Sequence, residues 1–435
     1  MKIFQHISDE EDCLDAYLVL GLTIFEQATV QYKQANIGSN KALKKIYKRF
    51  FGRIIYKAKY YNCNGLFKRE VSLFSIPIIG TQKLNGYKLY FILGIKLYSK
   101  PLKFLSDFKS EYIDKIDSQH DDIYILLHHL GDAFRMLTLI KEIIKEKQSK
   151  NPLIIVFDNS FEDMIKMMNI DIPYVNIQTK KPFKARMEKQ FSTDIFWLGG
   201  FRIILLWNNW WSGTKYSKKR KSLPPEANHL NSIADTYNVT YDSSKMGKIN
   251  ILKDSEKYMI SKSQQAGLNL DNFVFLAPEA FAFTTFSETF WKEIIKILQN
   301  TGYDVFINMV ACRNIVRKDS YTNNKSKILT LDKVQNVKTF YLTIAEAYAL
   351  ACKSKIIISQ RSGFSELLVQ TKVPMCVLYS GNEKNNVEKW KIANSLLSSP
   401  FADCTKIHEI NVAGMGLNES INDICKLMNL KPNRA

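Results

Sequence analysis

The chain has 435 residues, with 61 Lys and Arg against 42 Asp and Glu, a formal net charge of +19, and 46% hydrophobic residues. That length accommodates two or three domains with their own cores, and the composition excludes a mostly disordered chain or a collagen-like repeat. A membrane-spanning helix is also not expected, since the least polar stretches, Ala16–Phe25 and Ile203–Trp211, fall short of the roughly 20 residues a span needs.

The first residues, Met-Lys-Ile-Phe-Gln-His, meet Asp9, Glu10, Glu11 and Asp12 before any apolar run, which is not the pattern of a secretory signal. Residues 9 to 62 contain no proline and repeat Leu43, Ile46, Tyr47, Phe50 and Ile54, a helical spacing, so a helix is expected there. Lys41, Lys44, Lys45, Lys48, Arg49, Arg53, Lys57 and Lys59 fall in the same stretch without an acid among them. A basic amphipathic helix of this kind suits an anionic membrane interface or a solvated surface. Residues 71–104 are richer in Ile, Leu, Phe and Tyr, and Asn85-Gly86 marks a hairpin within them. A charged connector, Ser106–Asp122, follows.

From Ile123 onwards strands alternate with helices. Strands are expected at Ile123–His129, Leu153–Asp158, Ile172–Ile177 and Ile203–Trp211, and helices at Ala133–Lys147 and Phe161–Met168. Lys215–Lys221 with Pro224-Pro225 reads as an exposed basic loop. The alternation resumes with a helix at Glu256–Gly267, a strand at Phe273–Ala277, and a helix opened by a Thr285-x-x-Glu288 capping box. Strand Asp304–Val310, helix Thr343–Cys352, strand Lys355–Ser359, helix Gly363–Gln370 and a last strand Met375–Tyr379 complete the series. Asn386–Leu397 and Leu417–Leu427 read as a helical tail.

This order predicts an α/β fold of two Rossmann-like parallel-sheet domains facing a cleft, preceded by a helical plus small β extension. The expected boundaries are 1–119, 120–270, 271–385 and 386–435. No internal repeat stands out. The seven cysteines (Cys13, Cys63, Cys312, Cys352, Cys376, Cys404 and Cys425) show no CxxC pair, which fits a reducing cytoplasm. None of the six histidines stands at ligand spacing from a cysteine.

Two segments carry the chemistry. Lys355–Leu368 runs from a strand through Arg361-Ser362-Gly363 into a helical stretch. A glycine turn ahead of a helix N-terminus can receive a phosphate, with Ser362 adding a hydroxyl and Arg361 a bidentate charge. Alternatively, Ser362 only caps the helix and Arg361 lies on the surface. The second segment centres on His128-His129-Leu130-Gly131-Asp132-Ala133-Phe134-Arg135. Asp132 follows a strand and a glycine turn, where a carboxylate can take a proton from a hydroxyl nucleophile or can cap the next helix. His128 or His129 could serve as the base instead, with one of the two expected to be buried by strand alternation.

Glu279, Asn308, Glu346 and Glu366 are further polar candidates near strand ends or helix starts. No two Asp residues have the Asp-x-Asp spacing that commonly holds a divalent metal on a nucleotide diphosphate. No metal is therefore expected, and basic residues with helix ends would neutralise such a group.

His129-Leu-Gly-Asp-Ala-Phe-Arg-Met-Leu-Thr-Leu-Ile140 resembles the first strand–turn–helix of GT-B glycosyltransferases, in particular the bacterial heptosyltransferase-like enzymes of lipopolysaccharide and capsule assembly. Phe273 to Tyr379 is similar to their donor domains, including the Arg361-Ser362-Gly363 turn. The resemblance covers residues 120–400. It departs at Thr138, where the family usually has proline, and in the additional N-terminal residues.

The resemblance implies a GT-B fold and an inverting, metal-independent transfer from a nucleotide-sugar to a hydroxyl, with no other cofactor. Asp132 would be the catalytic base. His129, Gly131 and Arg135 would lie on the acceptor side. Arg361, Ser362, Gly363, Glu366, Glu279, Asn308 and Glu346 would contact the donor. The acceptor would be a lipid-linked or lipopolysaccharide glycan at the inner face of the cytoplasmic membrane, reached through Lys41–Lys59. Two other readings are transfer of a phosphate-type group on the same fold, and a non-catalytic protein binding membrane or nucleic acid. The last is disfavoured by the absence of a recognisable nucleic-acid-binding module.

Overall fold

The computed structural model describes residues 4–101 apart from 10–13, 20–21, 32–41, 51–52, 64–65, 74–75, 85–86 and 93–94, as backbone only, and residues 103–430 apart from 128–129, 178–194, 207–228, 243–247, 279–285, 309–330, 380–395, 400, 413–414 and 416. The N-terminal part overturns the helical expectation. It is a nine-stranded antiparallel meander, β1 (Phe4–Asp9), β2 (Leu14–Val19), β3 (Leu22–Gln31), β4 (Ala42–Phe50), β5 (Arg53–Cys63), β6 (Leu66–Leu73), β7 (Ile76–Leu84), β8 (Tyr87–Ile92) and β9 (Ile95–Pro101), paired in chain order.

The physical reason lies in period and punctuation. Tyr56, Ala58 and Tyr60 alternate with Lys57 and Lys59, which is the period of a strand. Glycine ends five of the six two-residue gaps in the series, at Gly21, Gly52, Gly65, Gly86 and Gly94, the spacing of tight hairpins. The Asn85-Gly86 hairpin signal falls between β7 and β8 as expected. Helix α1 (Lys103–Glu111) runs into the expected charged connector Ser106–Asp122, which also holds a short 3₁₀ turn at Ile113–Lys115.

Next comes a five-stranded α/β sheet built from β10 (Asp122–Leu126), β11 (Pro152–Val156), β12 (Tyr174–Asn176), β13 (Ile195–Leu198) and β14 (Phe201–Leu206), in the order β12-β11-β10-β14-β13. β10 is parallel to β11 and β14, while β13 forms an antiparallel hairpin with β14. Leu105, Phe108 and Ile113 pack with Ile123, Ile125, Ile155, Ile203 and Leu205 in one buried cluster. Arg202 on β14 is ion-paired to the buried Asp122 on β10.

Helices α2 (Leu130–Thr138), α3 (Ile140–Lys147), α4 (Asn159–Met167), α5 (His229–Tyr237) and α6 (Lys253–Gln265) alternate with or follow these strands. The single helix expected over Ala133–Lys147 is broken at Leu139, whose φ and ψ are −99° and 4°. The Thr138 hydroxyl donates to Phe134 O at 2.8 Å, a back-bond that commonly bends helices.

The second α/β sheet has six strands, all neighbours parallel. It comprises β15 (Phe273–Ala277), β16 (Asp304–Ile307), β17 (Val337–Lys338), β18 (Ile356–Gln360), β19 (Met375–Tyr379) and β20 (Ile407–Asn411), in the order β17-β16-β15-β18-β19-β20. Strand β20 corrects the expectation that Met375–Tyr379 was the last. Helices α7 (Glu288–Asn300), α8 (Ile344–Lys353), α9 (Ser365–Leu368) and α10 (Leu417–Leu427) accompany it. Trp291, Ile294, Ile295 and Leu298 of α7, with Ile421 and Ile424 of α10, pack against Val274, Leu276, Val305, Ile307 and Ile358. Ser287, two residues after the expected Thr285, caps α7 through Phe290 N at 3.1 Å.

The chain divides into two compact units: residues 1–127, 150–157 and 177–222, and residues 128–149, 158–176 and 223–435. No described helix is long and apolar enough to cross a membrane.

Candidate active site

Asp132, Arg135, Asp163, Glu346, Arg361, Glu366 and Glu409 all belong to the second unit. The turn after β18 is built by serine hydroxyls. Ser365 Oγ donates to Gln360 O at 3.0 Å and accepts from Ser362 N at 3.0 Å, and Ser359 Oγ lies 3.1 Å away. Phe364 anchors the turn against Phe275 of β15, with ring centroids 6.3 Å apart. The helix expected at Gly363–Gln370 is one α-helical turn, Ser365–Leu368, continued by a 3₁₀ turn to Thr371. A helix that short has few aligned peptides and little macrodipole to offer an anion.

Arg361 is buried rather than superficial. Its Nη2 donates to Glu366 Oε1 and its Nη1 to Ser362 O at 2.6 Å. The same Glu366 oxygen accepts from Arg135 Nη2 on α2. Glu366 is 3% exposed, with Arg361 at 6% and Arg135 at 11%, so two guanidiniums converge on one carboxylate out of solvent. Burial works against the Arg361 charge, but Glu366, Tyr379 and Glu409 outweigh it and raise its pKa. The Tyr379 hydroxyl donates to Glu409 at 2.6 Å, and burial pushes its pKa well above the ordinary phenol value.

Two glycines permit this convergence. A Cβ on Gly363 would stand 2.7 Å from Gly131 N, and one on Gly131 would stand 2.9 Å from Gly363 Cα. The turn after β18 and the first turn of α2 thus meet backbone to backbone, which only glycine allows. Asp132 sits inside the first turn of α2 instead of capping it, since α2 begins at Leu130. Its Oδ1 is 4.0 Å from Arg135 Nη1, and its side chain is 15% exposed. It is the most accessible of the four charges.

The remaining candidates separate. Asn308 directly follows β16, beside β15. Its backbone N–H donates to Leu276 O at 2.7 Å, while its side-chain Nδ2 is buried without a hydrogen-bond partner among the described residues. Glu346 completes a capping box on α8, its Oε2 accepting from Thr343 N at 2.9 Å and its own N–H donating to Thr343 Oγ1 at 3.3 Å. Asp163 of α4 accepts from Ala345 N at 3.4 Å at the same helix start, and burial raises its pKa. His128, His129 and Glu279 lie outside the described residues, as do Lys41 and Lys215–Lys221. Among the described residues no group of three His, Cys, Asp or Glu side chains stands together to hold a metal.

Sequence reasoning put Arg135 on the acceptor side and Arg361 on the donor side, and did not foresee that Glu366 joins them. The spacing of Arg361 and Glu366 within one short turn was the available signal. Nothing in the sequence announced that Arg135, 231 residues from Glu366, would share its carboxylate.

No protein-family model and no curated protein matches the chain. Among solved structures it is similar to a glycosyl transferase family 9 protein from Veillonella parvula DSM 2008, at 14% identity over 73% of this chain and 93% of that one, with a TM-score of 0.43. It is also similar to the ADP-heptose lipopolysaccharide heptosyltransferase II of E. coli, at 12% identity over 71% of this chain and 98% of that one, TM-score 0.45. An E. coli heptosyltransferase solved with ADP matches at 10% identity over 71% of this chain and 99% of that one, TM-score 0.38.

Proposed function

We propose that the chain is a glycosyltransferase that moves a sugar from a nucleotide-diphosphate donor to a hydroxyl of a surface glycan, with inversion and without a metal. The acceptor would be a lipid-linked, lipopolysaccharide or capsule glycan, met at the inner face of the cytoplasmic membrane. The observation that carries the reading is the Asp132–Arg135–Glu366–Arg361 cluster, which sets its most accessible carboxylate against the buried Arg361 and the partly buried Arg135.

In this reading Asp132 takes the proton of the acceptor hydroxyl as its oxygen bonds to the anomeric carbon. The anomeric carbon–oxygen bond breaks, and its electron pair leaves on the nucleoside diphosphate. The arginines oppose the charge that develops on the leaving group. The buried Asn308 Nδ2, without an acceptor among the described residues, supports a donor contact, because a buried unmade hydrogen bond is costly and a ligand oxygen would complete it.

The test has two stages. Nucleotides and sugar nucleotides are screened for a rise in melting temperature, since a ligand that binds only the native state stabilises it. Transfer is then followed with the best donor in the wild type and in Asp132→Asn. The expected result is an intact fold and retained donor binding, with transfer lower by a factor on the order of a thousand or more, the scale of losing a general base. Full transfer by Asp132→Asn, or no shift with any nucleotide, overturns the proposal.

A further inference from the structure

Strands β4–β9 carry thirteen Lys and Arg and a single acid, Glu70, so twelve of the chain's nineteen surplus charges belong to six consecutive strands. Residues directly opposite in an antiparallel sheet share a face, and the register sorts this charge. On one face, Ile46, Ala58, Val71, Ile79, Ile92 and Ile95 follow one another from β4 to β9 as an unbroken apolar row. Beside it on the same face runs Lys44, Tyr60, Arg69, Thr81, Tyr90 and Tyr98. Beyond that lie Lys83, Lys88 and Lys100, each opposite the next. On the other side of the apolar row, Lys48 stands opposite Tyr56. These rows hold six cations and no acid, while Glu70 shares the other face with Lys45 and Lys59.

We infer that the face of β4–β9 holding the Ile46–Ile95 row is a docking surface for an anionic phospholipid membrane. Three lysines in register repel one another unless a counter-charge lies over them. At about 4.8 Å between strands and 3.3 Å per residue, six strands present a face on the order of 25 Å square. Its central band is apolar, its next row is rich in tyrosine, and its margin is cationic. That is the order of chemistry met on passing from the acyl boundary through the headgroups, where tyrosine concentrates and each nearby Lys or Arg gains about 1 kcal/mol from anionic lipid.

A nucleic acid would use the cations but has no counterpart for a row of isoleucines. A second copy of the same face would bury six like charges against six more. The inference locates the membrane contact that the transferase reading calls for, and its experiment involves no donor or acceptor, so either can fail while the other stands.

The full chain is co-sedimented with vesicles of phosphatidylcholine alone and of phosphatidylcholine with phosphatidylglycerol. The wild type is compared with Lys83→Gln/Lys88→Gln/Lys100→Gln and with Lys45→Gln/Lys57→Gln/Lys59→Gln on the opposite face, each checked for an unchanged melting temperature. Binding only to the anionic vesicles is expected. The first triple should weaken it by roughly 100-fold, from three lysines near the lipid. The second should weaken it several-fold at most, since the opposite face is farther from the lipid charge and screened over about 8 Å. Equal losses in the two triples, no binding to anionic vesicles, tighter binding to duplex DNA or RNA at equal phosphate, or a change of oligomeric state as the only effect of the first triple would each overturn the inference.

Discussion

Glu366→Gln tests whether the convergence of Arg135 and Arg361 holds the second unit together. Glutamine keeps the shape and removes the charge, leaving two largely buried guanidiniums without their common carboxylate. Removing one partner of a buried ion pair costs about 3–5 kcal/mol, a large part of the 5–15 kcal/mol that typically separates folded from unfolded chains. The two arginines do not share the loss equally. Arg135 keeps Asp132 at 4.0 Å, a gross attraction of about 4 kcal/mol between unit charges at an effective dielectric near 20, much of it offset by desolvation. Arg361 is the more deeply buried and bears more of the penalty. The expected order of destabilisation in urea unfolding is therefore Glu366→Gln, then Arg361→Met, then Arg135→Met. Glu366→Leu combined with Arg361→Met should cost less than Glu366→Gln alone, because the more buried of the two charges left behind is gone. Trp291, buried in the same unit, reports the transition by fluorescence. A loss under about 1 kcal/mol for Glu366→Gln, or Arg135→Met costing more than Arg361→Met, refutes the reasoning, because the energies of buried pairs follow desolvation.

Gly363→Ala places a Cβ 2.7 Å from a backbone nitrogen and should cost roughly 1–3 kcal/mol as overpacking; a melting temperature equal to wild type would show that the two turns can part freely. Asn308→Ala removes a buried donor that has no partner among the described residues, so stability should change by less than about 1 kcal/mol while donor affinity, read by calorimetry, falls roughly five- to tenfold; unchanged affinity would remove Asn308 from the donor site. Asp163 has its carboxyl pKa raised in the fold by burial. The native state therefore holds that proton to higher pH than the unfolded chain, and the associated stability is present at low pH and lost as pH rises from the ordinary carboxylate range through the raised value. Asp163→Asn should thus gain on wild type as pH rises across that window in urea titrations. A difference independent of pH would mean that the carboxyl titrates alike in both states.

The two α/β sheets were legible because their strands are continuous apolar runs bounded by turn residues. Phe273–Ala277 and Met375–Tyr379 are strands over the expected residues, and both are buried throughout, which leaves no polar alternation to confuse with a helix. The meander was misread for the converse reason. Ile46, Tyr47, Phe50 and Ile54 satisfy a helical stripe over one window, and the alternation at Tyr56–Tyr60 together with the X-Gly gaps from Gly21 to Gly94 decides for strands. Helix ends were misplaced where a hydroxyl outcompeted the pattern, as Ser287 did for α7 and Thr138 within α2. For the site, local spacing identified Arg361, Gly363 and Glu366, and a separate motif identified Gly131, Asp132 and Arg135. Their union needed the tertiary contact between two glycines, which one sequence does not encode in any window.

That union also changes where the charge of the chain acts. A basic protein that handles a diphosphate invites the view that its surplus lies in the site, with arginines standing in for a metal. The described cluster contains Arg135 and Arg361 against Asp132 and Glu366, and is formally neutral. An incoming dianion would not meet a pre-formed cationic pocket there. It would compete with Glu366 for guanidiniums already desolvated, so that much of the cost of burying them is met by the fold and not by the ligand. The net charge, by contrast, is concentrated in β4–β9, where Glu70 is the single acid against thirteen Lys and Arg. Salt should therefore act on the two proposed functions differently: the proposed attraction of the meander to an anionic surface would be long-ranged and screened over about 8 Å, whereas the proposed exchange of partners within a largely buried, neutral cluster would depend on short-range geometry and be far less sensitive to ionic strength.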